Sequence, residues 1–328
     1  MSVLVVGGAG YIGSIASRLL VENGHRVVIL DNLSQGHRRA VPAEAEFFEG
    51  DLGDKALVEE ICREKKVEAA LHFAAFTEVG ESVAEPAQYY ENNTCKAKAL
   101  LDGLVQAGVD KCIFSSTAAV YGEPEEVPIT EEHPKHPTNP YGWSKLFVER
   151  ILDSYRTAYG LRSAILRYFN VAGALPDLGE DHKPESHLVP IILQVPLGQR
   201  DSVAVYGTDW DTPDGSCVRD YIHVVDLAEA HMKALDLLSD GSEGDTFNFG
   251  NGEGHSVLEV VKAARTVTGH PIPVVEAPRR PGDPARLVAS SEKAGRILGW
   301  SPKTPAIEEI VRSAWEWHRK HPGGYRDR

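Results

Sequence analysis

Tyr141 and Lys145 stand four residues apart behind an Asn139-Pro140 pair, a sequence that caps and opens a helix, so phenol and ammonium share one helical face. A tyrosine pKa lies near ~10, and using the phenol as a base at neutral pH needs a shift of roughly three units, about 4 kcal/mol. A cation about 4 Å away contributes on the order of 4 kcal/mol at an effective dielectric near 20, which Lys145 can supply. Thr117, expected on the loop after a strand over residues 112–115, offers a hydroxyl that can share or pass the same proton. Together the three side chains suit proton removal from an alcohol. On spacing alone, however, a tyrosine and a lysine four apart make an ordinary surface pair of a helix. The rest of the chain has to separate the two readings.

The first residues supply that context. Residues 3–6 (Val-Leu-Val-Val) form an apolar run without a polar break, as expected of a strand covered on both faces of a parallel sheet. Gly7, Gly10 and Gly13 follow at intervals of three, which suits a tight turn, close approach of backbone to a pyrophosphate, and close packing of helix on strand. The next helix is expected over residues 11–23, with Ile12, Ile15, Ala16, Leu19 and Leu20 inward and Gly24 as a left-handed stop. Its free N–H groups would face the phosphates. A second strand, residues 27–30, ends at Asp31, where a dinucleotide fold places the ligand of the adenosine ribose. The bland alternative is a tight turn with an exposed acid, but strand, glycines, helix and carboxylate in this order favour cofactor binding. Asp31 would accept from ribose hydroxyls and repel a 2′-phosphate, so NAD is expected rather than NADP.

Further along, Asn32 starts a polar loop, residues 46–49 read as a third strand, and Asp51 can either bond an adenine or cap the helix around residues 55–65. Residues 71–75 (Leu-His-Phe-Ala-Ala) close a fourth strand with two small residues, Ala74 and Ala75, where bulk would obstruct a dinucleotide. Residues 87–107 are expected to form a single helix, and residues 164–168 a sixth strand. Alternation of strand and helix to this point predicts an α/β fold with a doubly wound parallel sheet, over a domain of residues 1–170. From Val171 the chain turns rich in proline, glycine and aspartate, which predicts a smaller C-terminal lobe over residues 171–328, with residues 219–250 rejoining the first domain. A cleft between the lobes is the expected ligand site.

With 328 residues the chain can bury a sizeable core. A net charge of −14 without any lysine and arginine run argues against nucleic acid or an anionic membrane surface as partner. No early stretch reads as a signal peptide and none approaches the length of a membrane span, so a cytoplasmic protein is expected. The four cysteines lack Cys-x-x-Cys spacing, and reduced core thiols are the default reading. No metal site is expected. The acidic run Asp209-Trp-Asp-Thr-Pro-Asp-Gly215 has its glycine displaced from a calcium-loop pattern and no closing glutamate, and His133-Pro-Lys-His136 lies in a proline-rich loop with no cysteine or third histidine nearby.

Eight motifs, in order and covering nearly the whole chain, resemble the extended short-chain dehydrogenase/reductase family: Gly7-Gly-Ala-Gly-Tyr-Ile-Gly13, Val79-Gly-Glu-Ser82, Tyr89-Tyr-Glu-Asn-Asn93, Ser115-Ser-Thr-Ala-Ala-Val-Tyr-Gly122, Tyr141-Gly-Trp-Ser-Lys145, Arg167-Tyr-Phe-Asn170, Gly215-Ser-Cys-Val-Arg-Asp-Tyr-Ile-His-Val224 and Arg279-Arg-Pro-Gly-Asp283. The last three narrow the resemblance to members that epimerise UDP-hexoses. It implies interconversion of UDP-glucose and UDP-galactose through a 4-keto sugar with tightly held NAD, Tyr141 taking the proton of the sugar 4-hydroxyl. By the same matching, Gly7, Gly10, Tyr11, Ile12, Gly13, Asp31, Asn32, Asp51, Leu52, Phe73, Ala74, Ala75, Asn92, Ser115, Tyr141, Lys145 and Phe169 fall at cofactor positions. Thr117, Asn170, Leu188, Ala204, Val205, Tyr206, Arg219, Arg280, Asp283 and Leu287 fall at nucleotide-sugar positions. A homodimer, joined through the helices after the fourth and fifth strands, is also implied.

Three departures bear on that reading. Thr117 stands where many members have serine, Thr77 replaces a lysine that some place near the cofactor phosphates, and Leu287 occupies a position that is tyrosine in some members and smaller in others. Without that tyrosine the sugar pocket is expected to admit N-acetylated UDP-hexoses. The nearest rival, a nucleotide-sugar 4,6-dehydratase, resembles Thr-Asp-Glu where this chain has Thr117-Ala-Ala119, and alanine moves no protons. A non-catalytic NAD-binding sensor has no need of the tyrosine, lysine and hydroxyl together.

Overall fold

A computed structural model of the chain describes residues 1–280 and 283–325; Pro281 and Gly282 of the Arg279-to-Asp283 motif lie outside the described residues. The apolar runs become β1 (Ser2–Val6), β2 (Arg26–Asp31), β3 (Glu46–Glu49), β4 (Ala69–His72), β5 (Lys111–Thr117) and β6 (Arg162–Tyr168). Between them lie α1 (Tyr11–Glu22), α2 (Lys55–Lys65), α3 (Val79–Ala84), α4 (Pro86–Tyr89), α5 (Lys96–Ala107) and α6 (Pro140–Tyr159). The chain continues through β7 (Asn170–Ala172), α7 (Leu188–Gln194), β8 (Val203–Tyr206), β9 (Val218–His223), α8 (Val224–Ser239) and β10 (Thr246–Phe249). It ends with β11 (Gly254–Ser256), α9 (Val257–Thr268), β12 (Val274–Ala277), β13 (Arg286–Leu287), α10 (Glu292–Leu298) and α11 (Ile307–Lys320).

The main sheet has seven strands in the order β10-β6-β5-β4-β1-β2-β3, every neighbouring pair parallel, which is the doubly wound sheet expected. Strand side chains alternate between faces, and both faces are covered. Val3, Val5, Ile29, Leu71 and Ile113 pack with Leu227, Ala230, Ala234 and Leu235 of α8. Leu4, Val6, Val28 and Leu30 pack with Val58 and Ile61 of α2, Leu100 and Leu104 of α5, and Val148 of α6. Each such Val or Leu buried contributes roughly 1.5–3 kcal/mol, so the sheet is a rigid floor. Strand order reverses between β1 and β4, and the crevice outside the strand ends at such a point is where ligands bind in this architecture.

Four local expectations change. The helix expected over residues 87–107 is split by a π-helical turn, Tyr90–Cys95. β4 ends at His72, so Phe73 to Ala75 leave the strand instead of closing it. Thr117 is the last residue of β5 and not part of the following loop. Of the stretch 219–250, α8 packs on the main sheet and β10 joins its edge beside β6, but β9 belongs to a second sheet, between β11 and β13 with β7 also paired to it. That second sheet and the β8–β12 ribbon accompany a separate core of α7, α9 and α11 in which Leu193, Val260, Ile310 and Val311 are buried.

Candidate active site

The glycine turn is built by close approach. Gly7 has φ +82°, and a Cβ on it would lie 2.6 Å from the Ala74 nitrogen, while a Cβ on Gly13 would lie 2.1 Å from the Gly7 carbonyl oxygen. Both are glycine because the fold itself demands it. A Cβ on Gly10 would meet only the Gly7 oxygen at 3.4 Å, so packing alone does not require glycine there. Gly10 is the N-cap of α1 and no side chain caps it, which leaves N–H groups of the first turn available to an anion. Tyr11 ties this end of α1 to the second lobe, its hydroxyl donating to the Gly173 carbonyl at 2.6 Å.

Asp31, at the tip of β2, is buried and accepts from Ala9 N–H at 2.9 Å and Leu33 N–H at 2.8 Å, one bond per oxygen, so each oxygen keeps a lone pair for a ribose hydroxyl. Burial raises its pKa and the two N–H bonds counter that. Asp51 does not cap α2; Asp54 does, accepting from Leu57 N–H at 3.1 Å. Asp51 instead accepts from Lys96 Nζ at 2.8 Å, Gly53 N–H at 2.8 Å and Asn32 Nδ2 at 3.2 Å, joining two expected cofactor residues. Leu52 is buried beside them. The glycine cradle, the uncapped helix and the anchored carboxylate fit an NAD pyrophosphate and ribose.

At the other end of the crevice, Asn139 caps α6 through Gly142 N–H at 2.9 Å, and Tyr141 and Lys145 lie buried on the same face of this helix. Ala119 N–H occupies one lone pair of Thr117 Oγ1 at 3.1 Å, and the Thr117 hydroxyl is near enough to the Tyr141 phenol to favour its ionised form. Burial pushes Tyr141 up to about 12, the nearby Thr117 hydroxyl lowers it and Glu78 raises it. The lowering expected from Lys145 is not among these causes. Lys145 Nζ donates to the Ser115 carbonyl at 3.0 Å, lies 5.1 Å from the centre of the Phe114 ring, and is pulled by burial down to about 7. Desolvation therefore outweighs charge here: the polypeptide holds a protonated phenol and an ammonium that is easily neutralised.

Several expected sugar-nucleotide residues meet on the smaller lobe. Arg280 stacks on the Tyr206 ring at 3.8 Å, and Arg219 lies 3.7 Å from Asp283 and opposite Leu287 in the β9–β13 register. Leu287 packs near Phe169, Tyr121 and Leu146, which brings β13 against α6 and the end of β6. Asn170 begins β7 and Leu188 begins α7. Ala204 and Tyr206 share one face of β8, whereas Val205 points the other way and is buried in the lobe, so its side chain is not available to a ligand.

Supporting residues escaped the sequence reading because their partners are remote in the chain. His231, fully buried on α8, donates from Nδ1 to the Leu227 carbonyl at 2.9 Å, so its Nε2 is the acceptor facing Ser115 Oγ at 3.2 Å, and its ring lies against Phe73. Asn93 ties the Phe76 backbone to Ser144 of α6, and Asn92 donates to it at 3.0 Å. Glu149 and Arg167 form a buried ion pair that also receives Ser116 Oγ at 2.6 Å, locking β5 next to Thr117. No local pattern announces such contacts.

Residues 3–250 match the NAD dependent epimerase/dehydratase family. The chain is 53% identical over 327 residues to the UDP-glucose 4-epimerase of Halalkalibacterium halodurans, covering 99% of this chain and 98% of the relative. It superposes with a TM-score of 0.94 on the UDP-glucose 4-epimerase of Bifidobacterium longum in complex with NAD+ and UDP, at 42% identity over 99% of this chain and 100% of that one. The UDP-Glc/GlcNAc 4-epimerase of Campylobacter jejuni superposes with a TM-score of 0.85, at 42% identity over 97% and 99% of the two chains. With the glycine cradle, the Thr117–Tyr141 pair and matches of this length, the chain belongs to the NAD dependent epimerase/dehydratase family.

Proposed function

We propose that this protein inverts C4 of a UDP-hexose, interconverting UDP-glucose and UDP-galactose through a 4-keto sugar. The observation that carries the reading is the burial of Tyr141 and Lys145 on one face of α6 with the Thr117 hydroxyl, at the end of β5, acting on the phenol, in a member of this family. Gly7, Gly10, Tyr11, Ile12 and Gly13 would hold the pyrophosphate, with Asp31, Asn32, Asp51 and Leu52 around the adenosine, and Phe73, Ala74, Ala75, Asn92, Ser115 and Phe169 along the remainder. NAD, when bound, supplies the two-electron acceptor and donor for C4 and a positive ring beside the phenol. Tyr141 takes the proton of the 4-hydroxyl and returns it to the new 4-oxygen, Thr117 steadies the phenolate by its hydrogen bond, and Lys145 holds the Ser115 backbone in place. Arg219 and Arg280 suit the diphosphate, Tyr206 the uridine, and Asn170, Leu188 and Asp283 the remaining contacts.

Ala118 and Ala119 leave the loop without the acid and base that water elimination needs, which favours epimerisation over a dehydratase reading. Residues 1–170 act as the cofactor domain and residues 171–328 as the sugar-nucleotide lobe. A homodimer is supported by Val83, Trp143 and Phe147, large apolar side chains exposed on α3 and α6. The free cysteines, three of them buried, suit a cytoplasmic setting, and no helix among the described residues is long and apolar enough to cross a membrane.

The test is to denature purified protein and assay released NAD, then to follow UDP-galactose by proton NMR without added cofactor. A C4-inverted hexose with retained NAD is expected. A 6-deoxy-4-keto product, or net consumption of added cofactor, overturns the reading.

A further inference from the structure

We propose that Glu180, His182, Glu185 and His187 form a divalent transition-metal site, best suited to zinc, that clamps the segment leading into α7. One donor atom from each lies within 4.8 Å of all the others. His187 Nδ1 is 2.6 Å and His182 Nδ1 3.3 Å from the same Glu180 oxygen, and Glu185 Oε1 is 3.8 Å from His187 Nδ1. A tetrahedral zinc with bonds of about 2.0–2.1 Å needs donors about 3.4 Å apart, and the three separations straddle that value.

The site is built and not merely crowded. Glu180 is buried, its Oε1 accepts from His187 Nδ1 at 2.6 Å, and His182 Nδ1, shielded from solvent, lies 3.3 Å from the same oxygen without a well-aligned hydrogen bond. Two imidazole nitrogens thus converge on one buried carboxylate oxygen, an arrangement in which a metal ion can take the place of the protons between them. Glu185 is held in orientation by Ser186 N–H at 2.8 Å and His187 N–H at 2.9 Å, both to Oε1. Asp181 between the ligands is anchored elsewhere, accepting from Tyr325 N–H at 3.0 Å, and its carbonyl meets His37 Nε2 at 2.9 Å. A cavity of about 250 Å³, lined by Glu180, His182, Glu185, His318 and His321 among others, gives a hydrated ion a path in. Two imidazoles with two carboxylates select a zinc-like ion over calcium or magnesium, which take oxygen alone, and the two carboxylates balance a divalent charge.

Sequence reading predicted no metal; His182 and His187 do stand at an H-x4-H spacing, but no cysteine pair accompanies them and the two glutamates join them only in the folded segment. Its consequence for the molecule is mechanical. The next residue after His187 is Leu188, expected at the nucleotide, so the ion would fix the start of α7.

The test uses full-length protein with its nucleotide retained, stripped with a chelator, dialysed, and titrated with zinc chloride by calorimetry alongside metal analysis. One saturable equivalent per chain is expected, weakened on the order of 100-fold or more in the double variant His182→Gln/His187→Gln, since loss of even an outer-shell partner costs 10–100-fold. No saturable binding by the unmodified chain, or undiminished binding by the double variant, overturns the site. Should the double variant fail to fold, cobalt substitution into the unmodified chain decides: the intense visible absorption of a four-coordinate ion supports the site, and the weak spectrum of the aqueous ion refutes it.

Discussion

Lys145 Nζ donates to the Ser115 carbonyl at 3.0 Å, while the polar side chain that lowers the Tyr141 phenol is that of Thr117. The lysine thus braces the strand end from below and the threonine touches the base. Burial sets Tyr141 at about 12 and Lys145 at about 7, so the polypeptide keeps the phenol protonated.

Tyr141→Phe should retain its NAD and lose turnover by about 10²–10⁴-fold, the range for a positioned acid or base. Thr117→Val keeps the shape and removes the hydroxyl, and should shift the rising, acid-side limb of the kcat profile upward in pH. Rates on UDP-galactose together with NAD content of the purified variants measure both. Unchanged turnover in Tyr141→Phe rejects the assigned base.

Lys145→Met should stabilise the fold while impairing catalysis. The folded pKa of about 7 lies below the unfolded ~10.5, so the unfolded chain binds more protons between these values and stability rises with pH there. The cost of the buried ammonium is complete below pH about 7, and removing it should gain roughly 2–4 kcal/mol at pH 6 after loss of the Ser115 bond. That gain should fade towards pH ~10.5. Urea unfolding of both proteins across this range provides the check, and a gain independent of pH contradicts the account.

Acid should unfold the protein through two histidines. Burial brings His72 down to about 3, helped by the charge of Lys145, and His231 down to about 4, while an unfolded histidine titrates near ~6.5. The unfolded chain therefore binds more protons below pH ~6.5, and stability is complete above that pH and lost as it falls, by about 1.4 kcal/mol per unit for each group. Chemical unfolding at pH 7 and pH 5 should differ by several kcal/mol. His72→Leu should roughly halve the difference, and an unaltered slope would sink this assignment.

Leu287, packed near Phe169 and opposite Arg219, should leave room for an N-acetyl group at the sugar. Turnover of UDP-N-acetylgalactosamine is expected, and Leu287→Tyr should suppress it at least about tenfold while UDP-galactose is spared, in line with a steric change in an apolar pocket. Failure of the unmodified protein on the N-acetylated sugar at saturating concentration removes the idea.

Much of this molecule can be read along the chain. Strand, glycine turn, helix and Asp31 are local: Gly7 is needed for its backbone, Asn139 caps the helix three residues on, and Tyr141 and Lys145 share a face through helical periodicity. The parallel sheet follows from apolar runs alternating with amphipathic helices. Other features depend on residues far apart in the chain. His231 reaches Ser115 across 116 positions, β9 leaves the main sheet for β7, β11 and β13, and Val205 turns away from the ligand face. Electrostatics divides in the same way, since charge is a property of residue type but its price depends on burial. Tyr141 and Lys145 could be paired on spacing, whereas only packing revealed that desolvation dominates both. Short-range periodicity and capping are encoded within a few residues. Burial, register and the meeting of remote polar groups are set by the whole chain at once.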